Sequence, residues 1–176
     1  MDEISVAKPD TAAMLRVNQA GEFGATRIYD GQRAIMGNRQ PISRLIARMA
    51  TQEEAHRIHF DRMMAERGVR PTLLTPVWNV AGFALGAATA LIGPEAAMAC
   101  TAAIETEIDR HYGVQLDELG DHDPELAQTI TEFRAEEVEH RDTAIAAGAE
   151  EAPGFPLLSA AIRFGCRAAI ALSKRI

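Results

Sequence analysis

The chain is poor in cysteine, in aromatic residues and in positive charge. Its two cysteines, Cys100 and Cys166, both sit in apolar surroundings. They make neither a disulfide framework nor a CxxC metal motif, which fits a reducing compartment. Basic residues number 18 against 25 acidic ones, a net charge of −7. No basic stretch is interleaved with aromatics, so nucleic acid is not expected as a partner. Met1 to Lys8 lacks the apolar run of a secretory leader, and the expectation is a cytoplasmic or cytoplasm-facing protein. From Pro71 to Pro94 there is no charged residue in 24 positions, and from Phe155 to Ile176 there is no acid. At 176 residues the whole of 1–176 suits one domain with a real core.

What is present is a repeated arrangement of glutamate and histidine. Glu53-Glu54-Ala55-His56 and Glu137-Val138-Glu139-His140 each place a carboxylate three residues before a histidine, on one helix face. Glu22 precedes Glu53 by 31 residues and Glu105 precedes Glu137 by 32, so the chain reads as two similar halves. Their spacing of about 84 residues is too long for a solenoid and fits a duplicated helical hairpin.

The neighbours say which way these side chains point. Ile46, Met49, Glu53, His56, Phe60 and Met63 follow a bundle-core spacing, as do Leu126, Ile130, Phe133, Glu137, His140 and Ala144. Glu22 is in register with Leu15, Asn18, Ala25 and Tyr29, and Glu105 with Met98, Thr101, Ile108 and Tyr112. A solvated face would put these residues opposite the apolar stripe, not on it. Four inward carboxylates are costly without counter-charge, and two divalent ions balance them. A Glu from each of two helices plus Glu-x-x-His from each of two others is the ligand set of ferritin-like di-metal carboxylate proteins. Oxygen-rich ligands with one histidine per ion suit iron or manganese better than zinc.

The pattern predicts an all-α fold, a ferritin-like four-helix bundle with a di-iron core and additional apolar or amphipathic helices for membrane association. Pro9-Asp10-Thr11 caps a first helix running to about Met36, with Gly37-Asn38 as its stop. Gly21 and Gly24 flank Glu22 and suggest close approach of another helix or a ligand. The second helix starts at Pro41 to Ser43 and ends at Gly68. The third ligand helix follows Gly93-Pro94 and ends near Gly120, and Asp123-Pro124 caps the fourth. The apolar segment, about 71–94, is expected to be a hairpin of apolar helices dipping into one leaflet. A buried soluble helix is the alternative. The tail, about 155–176, carries Arg163, Arg167, Lys174 and Arg175, and reads as a basic amphipathic helix for an anionic membrane surface. A last helix packed across the bundle with a solvated basic edge is the alternative.

Other polar residues are less informative. Tyr112 shares the face of Glu105, as a proton or hydrogen-bond donor near the metal or as a core aromatic, and His111 beside it is a second candidate catalytic residue. His59, next to Arg57 and Asp61, reads as solvated, and His122 falls in a turn. An apolar segment beside an oxygen-activating site suggests a greasy substrate drawn from the bilayer.

Several longer strings resemble the demethoxyubiquinone hydroxylase family of ubiquinone biosynthesis. They are Asn18–Glu22, Arg27–Gln32, Pro76–Gly86, Ala97–Thr101, Phe133–His140 and Gly165-Cys166-Arg167. The likeness runs from about Met14 to the C-terminus. The resemblance implies a di-iron, O2-dependent monooxygenase that hydroxylates a polyprenylated demethoxy benzoquinol, the penultimate step to ubiquinone. It implies two iron ions per subunit, with Glu22, Glu53, His56, Glu105, Glu137 and His140 as ligands, and NADH or another reductant. It also implies a peripheral position on the cell membrane, on the cytoplasmic side. Eukaryotic members work with a lipid-binding partner protein; such a partner and a homo-oligomer are carried as expectations. Two rival readings share parts of the pattern: a ferritin-like iron-storage or ferroxidase protein, and a membrane scaffold with a structural metal site.

Overall fold

A computed structural model describes residues 8–37 and 41–176. Among the described residues there are six α-helices and one 3-10 turn, Ala149–Glu151, and no strand. They are α1 (Thr11–Met36), α2 (Pro41–Arg67), α3 (Thr75–Ile92), α4 (Pro94–Leu119), α5 (Pro124–Ala146) and α6 (Phe155–Ser173).

The ends of these helices follow from local chemistry. The Asp10 side chain accepts from the Ala13 amide at 2.9 Å and opens α1, and Asp123 accepts from Leu126 at 3.1 Å and opens α5. Gly37, Gly68 and Gly120 terminate α1, α2 and α4 in the left-handed region, at φ of 61°, 64° and 47°. Asn38, the second residue of the expected stop, lies outside the described residues, as do residues 1–7 at the N-terminus.

Helices α1, α2, α4 and α5 form the bundle, with α1 packed on α2 and α4 on α5. The core has two apolar ends. One is built on Ile46, Met49, Met98 and Ala144, the other on Leu15, Phe60, Met63, Leu119, Leu126 and Ile130. Each bundle helix presents its acidic residue between apolar neighbours of the same stripe, and so the buried glutamates form a layer between the two ends.

The apolar segment differs from the expected hairpin. It is one helix, α3, lying along α1. Pro76 sits in its first turn, where a missing N–H costs nothing, and does not break it. Its glycines are contact points. A Cβ on Gly86 would collide with the Ile28 carbonyl, and one on Gly82 would lie 2.9 Å from the Gly24 carbonyl. The close helix approach expected at Gly21–Gly24 is therefore real, but Gly82 of α3 is the residue that permits it. Nor is α3 a fully buried helix: Val77, Val80 and Leu91 face outward.

Helix α6 packs on α4. Two of its arginines pair with a buried acid of α4 while their side chains stay 39% and 43% exposed. Arg163 and Arg167 donate to Glu107 Oε1 at 2.7 and 2.9 Å, and Glu107 has no exposed side-chain surface. Lys174 lies 3.7 Å from Glu118. The side left facing out is apolar, with Leu157 and Phe164 78% and 70% exposed. The helix is thus packed on the bundle as in the second reading of the tail, and it exposes apolar side chains together with the partly exposed Arg163, Arg167 and Lys174. By length and composition α3 and α6 could each cross a membrane. Each instead lies against a bundle helix that carries buried carboxylates.

Candidate metal centre

Glu22 on α1, Glu53 and His56 on α2, Glu105 on α4, and Glu137 and His140 on α5 are all buried. They converge in two overlapping groups. Glu22, Glu53, His56 and Glu137 form one, and Glu53, Glu105, Glu137 and His140 the other, with the ligand atoms of each within 4.8 Å of one another. Glu53 and Glu137, the two residues common to both groups, occupy the middle. All six residues singled out in the sequence meet in one place.

The hydrogen-bonding pattern tests whether cations fit. His56 Nδ1 lies 3.0 Å from Glu137 Oε1 and 3.5 Å from Glu22 Oε2. His140 Nδ1 lies 3.0 Å from Glu53 Oε1 and 3.2 Å from Glu137 Oε2. The opposite ring nitrogens are engaged elsewhere. His56 Nε2 is 3.0 Å from Glu136 Oε2, and His140 Nε2 is 3.1 Å from Gln52 Oε1. Both partners are acceptors, so each Nε2 carries the proton. Each Nδ1 of a neutral ring would then turn a lone pair toward carboxylate oxygens. A proton or a metal ion must lie between them. Glu53 Oε1 is moreover buried with no directed hydrogen bond, although His140 Nδ1 is near. Four carboxylates and two imidazole lone pairs around an orphaned oxygen fit two divalent ions.

Without metal the cluster holds protons instead. Burial would lower the pKa of His56, but hydrogen bonds to Glu137 and Glu22 outweigh it and push the imidazole up to about 11. His140 is raised likewise, chiefly by Glu137 against its own desolvation. Burial raises Glu53 and Glu105, each reinforced by the charge on Glu137. Glu137 goes the other way. Its desolvation is overcome by His140 and His56, which hold it down to about 2.

The aromatic neighbours cross between the halves. The Tyr112 hydroxyl donates to Glu22 Oε1, not to its own helix's Glu105. The Tyr29 hydroxyl donates to Glu105 Oε1 at 3.5 Å and to Met49 Sδ at 3.4 Å. Phe133 stacks on His56 with ring centroids 3.9 Å apart and covers its face. His111 lies outside both groups. Its Nε2 accepts from Gln115 at 3.0 Å, and desolvation, then Lys174 and Arg110, lower its pKa to about 4. His59 is also outside, 3.3 Å from the Thr129 hydroxyl.

Sequence reasoning missed Gln52, Glu136 and Tyr29. The signal was available: Gln52 and Glu136 each immediately precede a ligand-type glutamate, and Tyr29 stands to Glu22 as Tyr112 stands to Glu105.

Beside the cluster lies an apolar cavity of about 580 Å3 between α1, α3, α4 and α6. Gly21 and Ile104, the residues before Glu22 and Glu105, line it, together with Ile28, Trp78, Leu85 and Ile162.

The family described as ubiquinone biosynthesis protein COQ7 matches residues 9–173. A Rhodospirillum rubrum protein named 3-demethoxyubiquinol 3-hydroxylase is 54% identical over 172 residues, covering 96% of this chain and 81% of the relative. A human protein named mitochondrial NADPH-dependent 3-demethoxyubiquinone 3-hydroxylase is 48% identical over 180 residues, covering 100% of this chain and 82% of its own length. The Saccharomyces cerevisiae protein named mitochondrial 5-demethoxyubiquinone hydroxylase is 41% identical over 179 residues, covering 93% and 77%.

Proposed function

Because the chain belongs to the family of ubiquinone biosynthesis protein COQ7, we propose that it is the monooxygenase that hydroxylates a polyprenylated demethoxy benzoquinol on the way to ubiquinone. The observation that carries this reading is a buried four-glutamate, two-histidine cluster beside an apolar cavity, in a chain whose relatives bear the hydroxylase name. Iron-storage and scaffold readings explain the cluster but not the relatives.

Glu22, Glu53, His56, Glu105, Glu137 and His140 would hold two iron ions, with Glu53 and Glu137 shared between the two positions. When bound, the two ferrous ions supply two electrons to O2 and so activate it. The protein's own part is to bind, orient and exclude water. The cavity walls take the prenyl chain by apolar contact and leave the ring at the Glu22–Glu105 end. Tyr112 holds one Glu22 oxygen and so leaves the other free to face the cluster. The apolar ends above and below keep bulk water from the carboxylates. A nicotinamide dinucleotide, NADH or NADPH, is the reductant we infer; the names of the mouse and human relatives, which read NADPH-dependent, support that class of donor.

The outward apolar faces of α3 and α6 support a peripheral position on the membrane, from which the substrate enters the cavity; the cytoplasmic side is part of the proposal. A lipid-binding partner and self-association are compatible with that position.

The test is anaerobic reconstitution with ferrous iron, followed by a demethoxy quinol analogue, reductant and 18-O2. The expected result is one labelled oxygen in the product and about two irons per chain. Glu137→Ala and His140→Ala should abolish product while keeping the helical signal. Oxygen uptake with iron mineralisation and no hydroxylated quinol would overturn the proposal.

A further inference from the structure

Four side chains behind the cluster form one continuous hydrogen-bond chain. His140 Nε2 meets Gln52 Oε1 at 3.1 Å, Gln52 Nε2 meets Glu136 Oε2 at 3.3 Å, and the same oxygen meets His56 Nε2 at 3.0 Å. Gln52 and Glu136 are equivalent positions of the two halves, 84 residues apart. Each therefore serves the histidine of the other half.

We propose that Glu136 is the positioning residue that fixes the tautomers of both ligand-type histidines, His56 directly and His140 through Gln52. This rests on reading the cluster as a two-metal site. The reasoning is one of donors and acceptors. A carboxylate only accepts, so Gln52 must offer Glu136 its NH2. The Gln52 oxygen then faces His140, which must donate from Nε2. His56 must likewise donate from Nε2 to Glu136. Both rings are thereby left with a lone pair on Nδ1, the atom aimed at the carboxylates. One acid sets two rings, since of the four linked side chains only Glu136 is confined to accepting. The arrangement is unequal as well. His56 leans on a carboxylate and His140 on a neutral amide, so the two ion positions differ in the basicity of their imidazoles.

The Glu136 side chain is 42% exposed, so it can be replaced without opening the core. Three variants separate its role from a merely structural one. Glu136→Gln keeps an oxygen that can accept from both neighbours and should still bind two ions. Glu136→Lys puts a donor where the shared acceptor stood. Gln52 then has to turn its oxygen to the lysine and its NH2 to His140, which moves the His140 proton onto Nδ1. Gln52→Leu cuts only the His140 arm.

Anaerobic titration with Fe2+ reads the affinities, and 15N NMR of the protein loaded with Zn2+ reads the tautomers. Wild type should bind two ions with both rings protonated at Nε2. Glu136→Lys should weaken both ions by about 10–100-fold, Gln52→Leu should weaken one, and Glu136→Gln should restore both. A folded Glu136→Lys protein that binds two ions at wild-type affinity would overturn the inference alone, as would a Gln52→Leu protein in which neither ion is weakened. A wild type that cannot bind two ions would overturn the two-metal reading and this inference with it.

Discussion

Tyr112 reaches across the molecule to Glu22, 90 residues earlier in the chain, and both side chains are buried. A phenol that donates to a buried carboxylate is worth about 1.5–3 kcal/mol, more than a neutral pair. Its counterpart is weaker, since Tyr29 stands 3.5 Å from Glu105 and shares its proton with Met49 Sδ. The duplicated halves are thus alike in plan and unequal in strength. In metal-free protein Tyr112→Phe should lower unfolding free energy by about 1.5–3 kcal/mol and Tyr29→Phe by under about 1 kcal/mol. Urea unfolding of the two variants checks the ordering. Equal losses would mean that Tyr112 acts only as a core aromatic.

The metal-free cluster should make stability fall as pH rises. His56, raised from 6.5 to about 11, contributes stability that is fully present below its unfolded value and lost as pH climbs through the folded one. Glu53 and Glu105 are also raised, so the folded state holds their protons above 4.5, where the unfolded chain releases them. Their contribution has the same sign. Glu137 opposes it only in strong acid, losing its contribution as pH falls through about 2. Chelator-treated protein should therefore melt at progressively lower temperature between about pH 6 and 9, and metal-loaded protein should not, because ions replace the protons. Parallel melting curves for the two forms would count against this account.

Much of this architecture was legible in the residue order because the signals are local. The stripe of Ile46, Met49, Glu53, His56, Phe60 and Met63 is buried at every position, and Asp10, Asp123 and the three terminal glycines act where their chemistry places them. What was not legible depends on partners far off in the chain. Glu107 follows Glu105 by two residues and reads as a solvated glutamate until α6 brings Arg163 and Arg167 onto it. The same pairing engages two of the tail's basic residues, which stay partly exposed. The cross-over of Tyr112 to Glu22 is a tertiary fact, and spacing alone points Tyr112 at Glu105. The hairpin expected over about 71–94 is a single helix, because a punctuating residue and a close-contact residue look the same without the neighbouring helix.

The α1–α3 seam offers a paired test. Gly86→Ala would drive a methyl group into the Ile28 carbonyl, and neither backbone can yield without parting the helices. A loss of about 1–3 kcal/mol or more is expected. Gly24→Ala meets nothing within 4 Å and sits inside a helix, so it should stabilise by about 0.5–1 kcal/mol. Gly24 also lines the cavity, and the added methyl should raise KM for a long-tailed quinol more than for a short one. Thermal melts and a chain-length series read the two effects separately.

Membrane binding should depend on apolar contact more than on charge. Leu157 and Phe164 point away from the bundle, and burying each in lipid is worth up to about 1.5–3 kcal/mol. Leu157→Ser with Phe164→Ser should then reduce vesicle partitioning by roughly 100-fold or more, at 1.4 kcal/mol per factor of ten. Arg163 and Arg167, by contrast, are held at Glu107 and are poorly placed to reach headgroups. Adding anionic lipid to neutral vesicles should therefore change binding little, and salt should weaken it little. Flotation with vesicles of both compositions decides between the two forces. Strong dependence on anionic lipid, with the double variant binding as wild type, would return the basic tail to the membrane surface and release Glu107 from its arginines.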